Sequence, residues 1–268
     1  MMRILVVGDI IGSPGRALLR QALPVLRRKH EIDYCIANVE NAAGGFGLTK
    51  STCDEILDAG VDCLTSGNHI WDKKEILEFV DLIPQLLRPA NYPPGQPGAG
   101  AFVGRGRITG HPIATLNLSG RVFMRGAIDD PFRRADAEVE RLKREAAVII
   151  VDFHAEATSE KTALGYHLDG RVAAVLGTHT HVPTCDHRIL PGGTAYCTDI
   201  GMTGPYDSVI GVTTEAILRR FLTGMPTRFE TAKSDPRFAA VLVEVDPQSG
   251  LALSIERMLL KPEELETP

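Results

Sequence analysis

Residues 172–181 read Val172-Ala173-Ala174-Val175-Leu176-Gly177-Thr178-His179-Thr180-His181. The first half is an unbroken apolar run, which predicts a buried strand. The second half releases two histidines, one residue apart, just past the strand end. That spacing can aim both imidazoles into one cleft. Neutral imidazole is the commonest protein metal ligand, so the pair calls for further donors elsewhere in the chain.

Working outward, the same pattern recurs. Residues 4–7 predict a buried strand, followed by a helix with Ser13 as N-cap and Pro14 at its first position. Its apolar stripe is Leu18, Leu19, Ala22, Leu23 and Leu26, with Pro24 expected to kink or shorten it. A strand over 34–39 leads through a Gly-rich turn to a helix over about 49–59, stopped by Gly60. A strand over 63–66 leads to a helix over about 73–83. Strands alternating with helices argue for parallel βαβ units. Residues 89–110, rich in Pro and Gly, read as a loop or a short hairpin, and 122–132 as irregular. Strands are expected over 113–118, 148–153, 194–198, 239–245 and 251–258, and helices near 135–145, 159–167 and 213–222. No repeat or linker divides the chain, so residues 1–268 read as one α/β domain with a mixed sheet or two packed sheets.

The bulk properties narrow the setting. The chain has 268 residues, 44% hydrophobic and 24% charged, ordinary for a globular protein. A net charge of −5 gives no general attraction to nucleic acid or anionic membrane. Five scattered cysteines with no CxxC pair disfavour a disulfide framework or a cysteine zinc site. The N-terminus is charged too early for a signal peptide, and no apolar run approaches bilayer-spanning length. A cytoplasmic setting is expected.

On this map, metal-type residues cluster at strand ends. Asp9 follows the first strand, Glu40 and Asn41 the second, Asn68 and His69 the third. His154 follows the strand over 148–153, and His179 and His181 follow the strand ending at Leu176. In open α/β sheets the carboxyl edge is where ligands bind. Any one of these could be a turn residue, an N-cap or a satisfied core histidine; five strand ends together argue for a site. His30, His111, His167 and His187 have no comparable partners. About seven N/O donors are too many for one catalytic zinc, and no closed cysteine tetrahedron exists. The count suits two metals roughly 3.5–4 Å apart sharing a carboxylate, the arrangement that serves in-line phosphoryl displacement. Neither a P-loop nor a GxGxxG follows the first strand, which disfavours nucleotide binding by those routes.

Gly8-Asp9, Glu40-Asn41, Gly67-Asn68-His69, His154 and Thr178-His179-Thr180-His181 together resemble the calcineurin-like metallophosphoesterases. Three longer stretches are similar to the YmdB-like branch: Asn38-Val39-Glu40-Asn41-Ala42, the run from Val151 through His154 to Lys161, and Thr198-Asp199-Ile200-Gly201-Met202-Thr203-Gly204. The resemblance covers essentially the whole chain. It implies a four-layered αββα sandwich of two mixed sheets and hydrolysis of phosphodiesters, with 2′,3′- or 3′,5′-cyclic nucleotides as small substrates. It implies two divalent or mixed-valence metal ions. Asp9, Glu40, Asn41 and His181 would hold one, and Glu40, Asn68, His154 and His179 the other, with Glu40 bridging and His69 as general acid.

The chain departs from the wider superfamily at two places. Ile11 stands where an Asp-x-His motif would place histidine, and the bridging position is Glu40 rather than Asp. Asn41 is the nearest residue to fill the missing place. The harder donor set favours iron or manganese, with zinc the alternative. The loops over 98–110 and 121–132 are candidates for lining the cleft or for a contact in a homo-oligomer. Alternatives are a metal-dependent hydrolase of another bond, or a regulatory protein that senses a nucleotide with little turnover. Membrane or duplex nucleic acid is not expected as a partner.

Overall fold

The computed structural model describes residues 1–265; the last three residues of the expected 1–268 domain lie outside the described residues. In chain order the elements are β1 (Met2–Val7), β2 (Asp9–Ile10), α1 (Gly12–His30), β3 (Tyr34–Asn38), α2 (Lys50–Asp58), β4 (Cys63–Thr65) and α3 (Ile76–Phe79). Then follow β5 (Ala101–Arg105), β6 (Pro112–Ser119), α4 (Pro131–Leu142), β7 (Val148–His154), α5 (Thr158–His167) and β8 (Ala174–Thr178). The last third holds β9 (Arg188–Ile189), β10 (Ala195–Cys197), β11 (Met202–Pro205), α6 (Thr214–Thr223), β12 (Pro236–Val245), β13 (Ala252–Leu260) and α7 (Pro262–Leu265).

Two mixed sheets result. The first runs β2-β11-β12-β1-β3-β4, with β13 on the far side of β12. Here β1, β3 and β4 are parallel, while β12 is antiparallel to β1. The second runs β5-β6-β7-β8-β10-β9, parallel from β6 to β10 and antiparallel at both edges.

Period-two alternation sorts the core into layers. Ile4 and Val6 of β1 meet Val148 and Ile150 of β7 between the sheets. Leu5 and Val7 face the other way, onto Leu18, Leu19 and Leu23 of α1 and Ile56 of α2. On the outer side of the second sheet, Ile149, Val151 and Phe153 pack with Val139 and Leu142 of α4 and Leu164 of α5. Helices outside, sheets face to face inside: the four-layered αββα sandwich is what these three apolar seams build.

Local expectations needed correction in several places. Helix α1 starts at Gly12 after Ile11, with no side-chain cap, so Ser13 is not the N-cap. Backbone pairing sets that start: Ile11 N–H donates to the Thr203 carbonyl and Gly12 N–H to the Asn41 carbonyl. Pro24 does not end the helix; it lies on the exposed side, while burial of the opposite stripe carries the helix through to His30. The helix expected over 73–83 shrinks to α3 and one 3₁₀ turn: the Lys73, Lys74 and Glu75 carbonyls accept i→i+3 turn bonds ahead of and into α3, and Pro84 disfavours helical backbone at Ile83. Residues 89–110 contain β5, which forms a hairpin with β6. Helix α4 begins earlier than expected, at Pro131, capped by the Asp130 side chain. Among the described residues, no helix is long and apolar enough to cross a membrane.

Candidate metal centre

Every anticipated site residue lies where a parallel strand ends. Asp9 follows β1, Glu40 and Asn41 follow β3, Asn68 and His69 follow β4, His154 ends β7, and His179 and His181 follow β8. The donors divide by sheet: the first sheet supplies the carboxylates and amides, the second the imidazoles. The two sets meet at the edge between the sheets. Gly67 makes the meeting possible, since a Cβ there would lie 2.1 Å from the His154 ring.

Four donors converge on one point. His154 Nε2 lies 3.0 Å from Glu40 Oε1, 2.9 Å from Asn68 Oδ1 and 3.0 Å from His179 Nδ1. Glu40, His154 and His179 present ligand atoms all within 4.8 Å of one another. A cation about 2.1 Å from each donor would place neighbouring donors about 3 Å apart, which is this spacing.

The hydrogen-bond network fixes which nitrogen of each ring is free. The Thr178 hydroxyl donates to Asp152 Oδ1 (2.7 Å) and therefore accepts from His154 Nδ1–H (3.0 Å). His179 Nε2 lies 3.0 Å from the Glu156 carboxylate, an ion-pair contact on the side away from His154. His181 Nδ1 donates to the Ile210 carbonyl (2.9 Å). With the outer nitrogens occupied, the inner lone pairs of His154 and His179 face Glu40 and Asn68. Acceptors facing acceptors repel unless a cation lies between them, so this donor set fits a metal.

Titration behaviour follows the same geometry. Burial opposes charge on both Glu40 and His154, yet each holds the other charged. The Glu40 carboxyl is pulled down to about 2, and the His154 imidazole is pushed up to about 9. Burial and the neighbouring His154 charge push His179 down to about 3. Without a cation, one proton on His154 takes its place.

A second group adjoins the first. Asp9 is fully buried, and its Oδ1 has no hydrogen-bond partner. That atom lies 3.7 Å from His181 Nε2, which in turn is 3.2 Å from the Asn41 amide. Burial raises the Asp9 carboxyl above its ordinary value despite nearby histidines. An orphaned buried carboxylate oxygen beside an imidazole nitrogen that meets nothing stronger than the Asn41 amide is a second place whose donors fit a cation. Ile11 offers no donor there. Its side chain lies among Gly204, Gly211 and the cavity lining.

His69 stands apart from the donor cluster. Its backbone N–H donates to Glu40 Oε2 (2.9 Å), and its Nδ1 lies 2.7 Å from Asp72 Oδ2. Its ring lines a cavity of about 340 Å³ that also reaches Glu40, Asn41, His179 and His181. The loops over 98–110 and 121–132 contribute nothing to that lining.

Several contributors escaped the sequence reading. Asp152 lies beneath the donors, taking hydrogen bonds from Thr178, Thr65 and Asn38 across both sheets; its burial pushes it up to about 6. A lone Asp inside the apolar run over 148–153 was the signal. Asp72 and Glu156 gave none beyond their nearness to His69 and His154, and Ile210 acts through its carbonyl.

Comparison with known proteins identifies the family. The YmdB-like protein family model matches residues 5–258. The chain is 47% identical over 265 residues to the 2′,3′-cyclic-nucleotide 2′-phosphodiesterase of Bacillus subtilis strain 168, covering 98% of this chain and 99% of that protein. A phosphatase from Mycoplasma pneumoniae superposes with a TM-score of 0.90 at 35% identity, covering 100% of this chain and 97% of the other. The 5′-nucleotidase of Candida albicans SC5314 shares the fold at 13% identity, with a TM-score of 0.59 over 99% of this chain and 52% of its own.

The family match and the phosphodiesterase and phosphatase relatives place this two-sheet sandwich among the metallophosphoesterases. Within that class, the chain belongs to the YmdB-like family.

Proposed function

We propose that this protein is a dinuclear-metal phosphodiesterase that hydrolyses cyclic nucleotides, 2′,3′-cyclic nucleotides foremost. The observation that carries the reading is the ring of acceptors around His154 Nε2, set beside a cavity large enough for a small substrate. The specified bond follows the name of the Bacillus subtilis relative.

Glu40, Asn68, His154 and His179 would hold one metal; Asp9, Glu40, Asn41 and His181 would hold the other, with Glu40 shared. Bound there, the metals supply an acidified water and neutralise charge on the phosphoryl oxygens. Glu156, Thr178 and the Ile210 carbonyl keep the imidazoles oriented. His69, aligned by Asp72, is the group that protonates the leaving alkoxide as the P–O bond breaks. The mixed oxygen and imidazole set favours iron or manganese. Residues 1–268 act as one domain in this reading. Five free cysteines are consistent with a cytoplasmic setting.

Metal analysis of Glu40→Gln, paired with turnover of 2′,3′-cyclic AMP, tests the scheme. The variant should lose metal and activity together. A Glu40→Gln protein with full metal content and full turnover would overturn it.

A further inference from the structure

One wall of the cavity belongs to a lobe, residues 206–232, that leaves the first sheet after β11 and returns before β12. The lobe is fastened at the site. Its Ile210 carbonyl grips His181, and Thr231 packs so closely on Gly12 and Gly45 that a methyl there would lie 3.1 and 3.0 Å from it. Into the cavity the lobe presents Ile210, Val212, Ile217 and Phe229, and Phe46 joins them from the turn after β3. Both rings are braced. Phe46 meets the His69 ring edgewise at 5.0 Å, and the Arg220 guanidinium lies 5.1 Å from the Phe229 ring centre.

The charge of the lining is one-sided. Among the described residues no Lys or Arg lines the cavity; imidazoles aside, its ionisable side chains are the carboxylates of Glu40, Glu156 and Glu230. A substrate phosphate at the donors would be met by the cations that Glu40, His154 and His179 would hold. A second phosphate would find no cation among the lining residues and would face Glu156 and Glu230. An apolar wall with two phenyl rings suits a flat, uncharged ring, and base–aromatic stacking contributes about 1–3 kcal/mol per base.

We propose that this cavity seats the heteroaromatic base of a cyclic mononucleotide and excludes nucleotides that carry a second phosphate. The proposal rests on the phosphodiesterase reading and names the substrate class of that site.

The test compares kcat/KM for 2′,3′-cyclic AMP, its 5′-phosphorylated counterpart and methyl p-nitrophenyl phosphate. The metal-loaded full chain is run beside Phe229→Ala and Glu230→Gln. The unmodified protein should favour 2′,3′-cyclic AMP over the 5′-phosphorylated form by about tenfold or more, and Glu230→Gln should narrow that gap. Phe229→Ala should lose about 5- to 150-fold of the preference for the nucleotide over the small diester. Equal rates on the two nucleotides, or an unaltered preference in Phe229→Ala, would overturn the proposal. The small diester, assayed on the same preparation, separates lost selectivity from a lost site; if Phe229→Ala has lost both, Phe46→Ala carries the same comparison with the same criterion. Hydrolysis of none of the diesters by the unmodified protein removes the phosphodiesterase reading and this proposal with it. Hydrolysis without preference for the base removes this proposal alone.

Discussion

Lys161 Nζ lies 2.7 Å from Asp199 Oδ2, and neither side chain is open to solvent. The same carboxylate accepts the Thr180 N–H (3.1 Å) and hydroxyl (2.8 Å), and its other oxygen accepts the Gly201 N–H (2.8 Å). Thr180 stands between His179 and His181, whose φ angles of 105° and 64° are unfavourable for side chains with a Cβ. Such residues cost about 1–3 kcal/mol each and persist only where their surroundings hold them. Asp199 holds the residue between them, and Lys161 from α5 balances its charge.

Replacing Lys161 with Met leaves that carboxylate buried and unpaired. The expected loss is about 3–5 kcal/mol of stability, together with reduced metal content. Denaturant unfolding and metal analysis read the two effects. An unaltered unfolding midpoint with full metal content would remove the anchoring role.

Thr178 sits between His154 Nδ1 and Asp152. Thr178→Val keeps the shape and deletes the link, so metal affinity should fall about 10- to 100-fold, the usual effect of losing a partner that orients a ligand. Thr178→Ser should retain it. Chelator competition measures both, and equal affinity in the Val and Ser variants would contradict the tautomer assignment.

For His69, the leaving group is the probe. Substitution by Gln should slow alkyl diesters by about 10²–10⁴ and p-nitrophenyl esters far less, because a good leaving group needs no proton. Asp72→Asn should act in the same direction more weakly. Uniform slowing across leaving groups would exclude the acid role.

Chelated protein should show a particular pH dependence. In the metal-free site His154 is raised from 6.5 to about 9. A raised folded value contributes stability that is complete below 6.5 and is lost as pH climbs through 9. Thermal melts of chelated protein should therefore fall across that interval. Melts of metal-loaded protein should not, since the cation has replaced the proton. Parallel pH profiles for the two forms would show that His154 does not face the cation.

Much of this architecture was legible because its strands are apolar on both faces, and polar residues must begin where such strands end. Asp9, Glu40, Asn41, Asn68, His154, His179 and His181 stood out on that account. The two-residue strands β2 and β9 were too short to carry a period, and the start of α1 is fixed by carbonyls of Thr203 and Asn41 that no local window contains. The orienting groups were harder still. Asp72 and Glu156 are ordinary surface-type acids until the fold brings them to an imidazole, and the Ile210 contribution is a main-chain atom that every residue type possesses.

The division of donors between sheets has a consequence for how the molecule coheres. Asp9 Oδ2 receives the backbone N–H of His179, 170 positions further along the chain, so the centre closes a loop that spans most of the protein. Neither half presents the full donor set until Ile4 and Val6 have met Val148 and Ile150 across the inner seam. A cation that recognises the joined halves therefore acts as a fastener between the sheets. By mass action the binding energy of such a cation would be added to the cohesion of the seam.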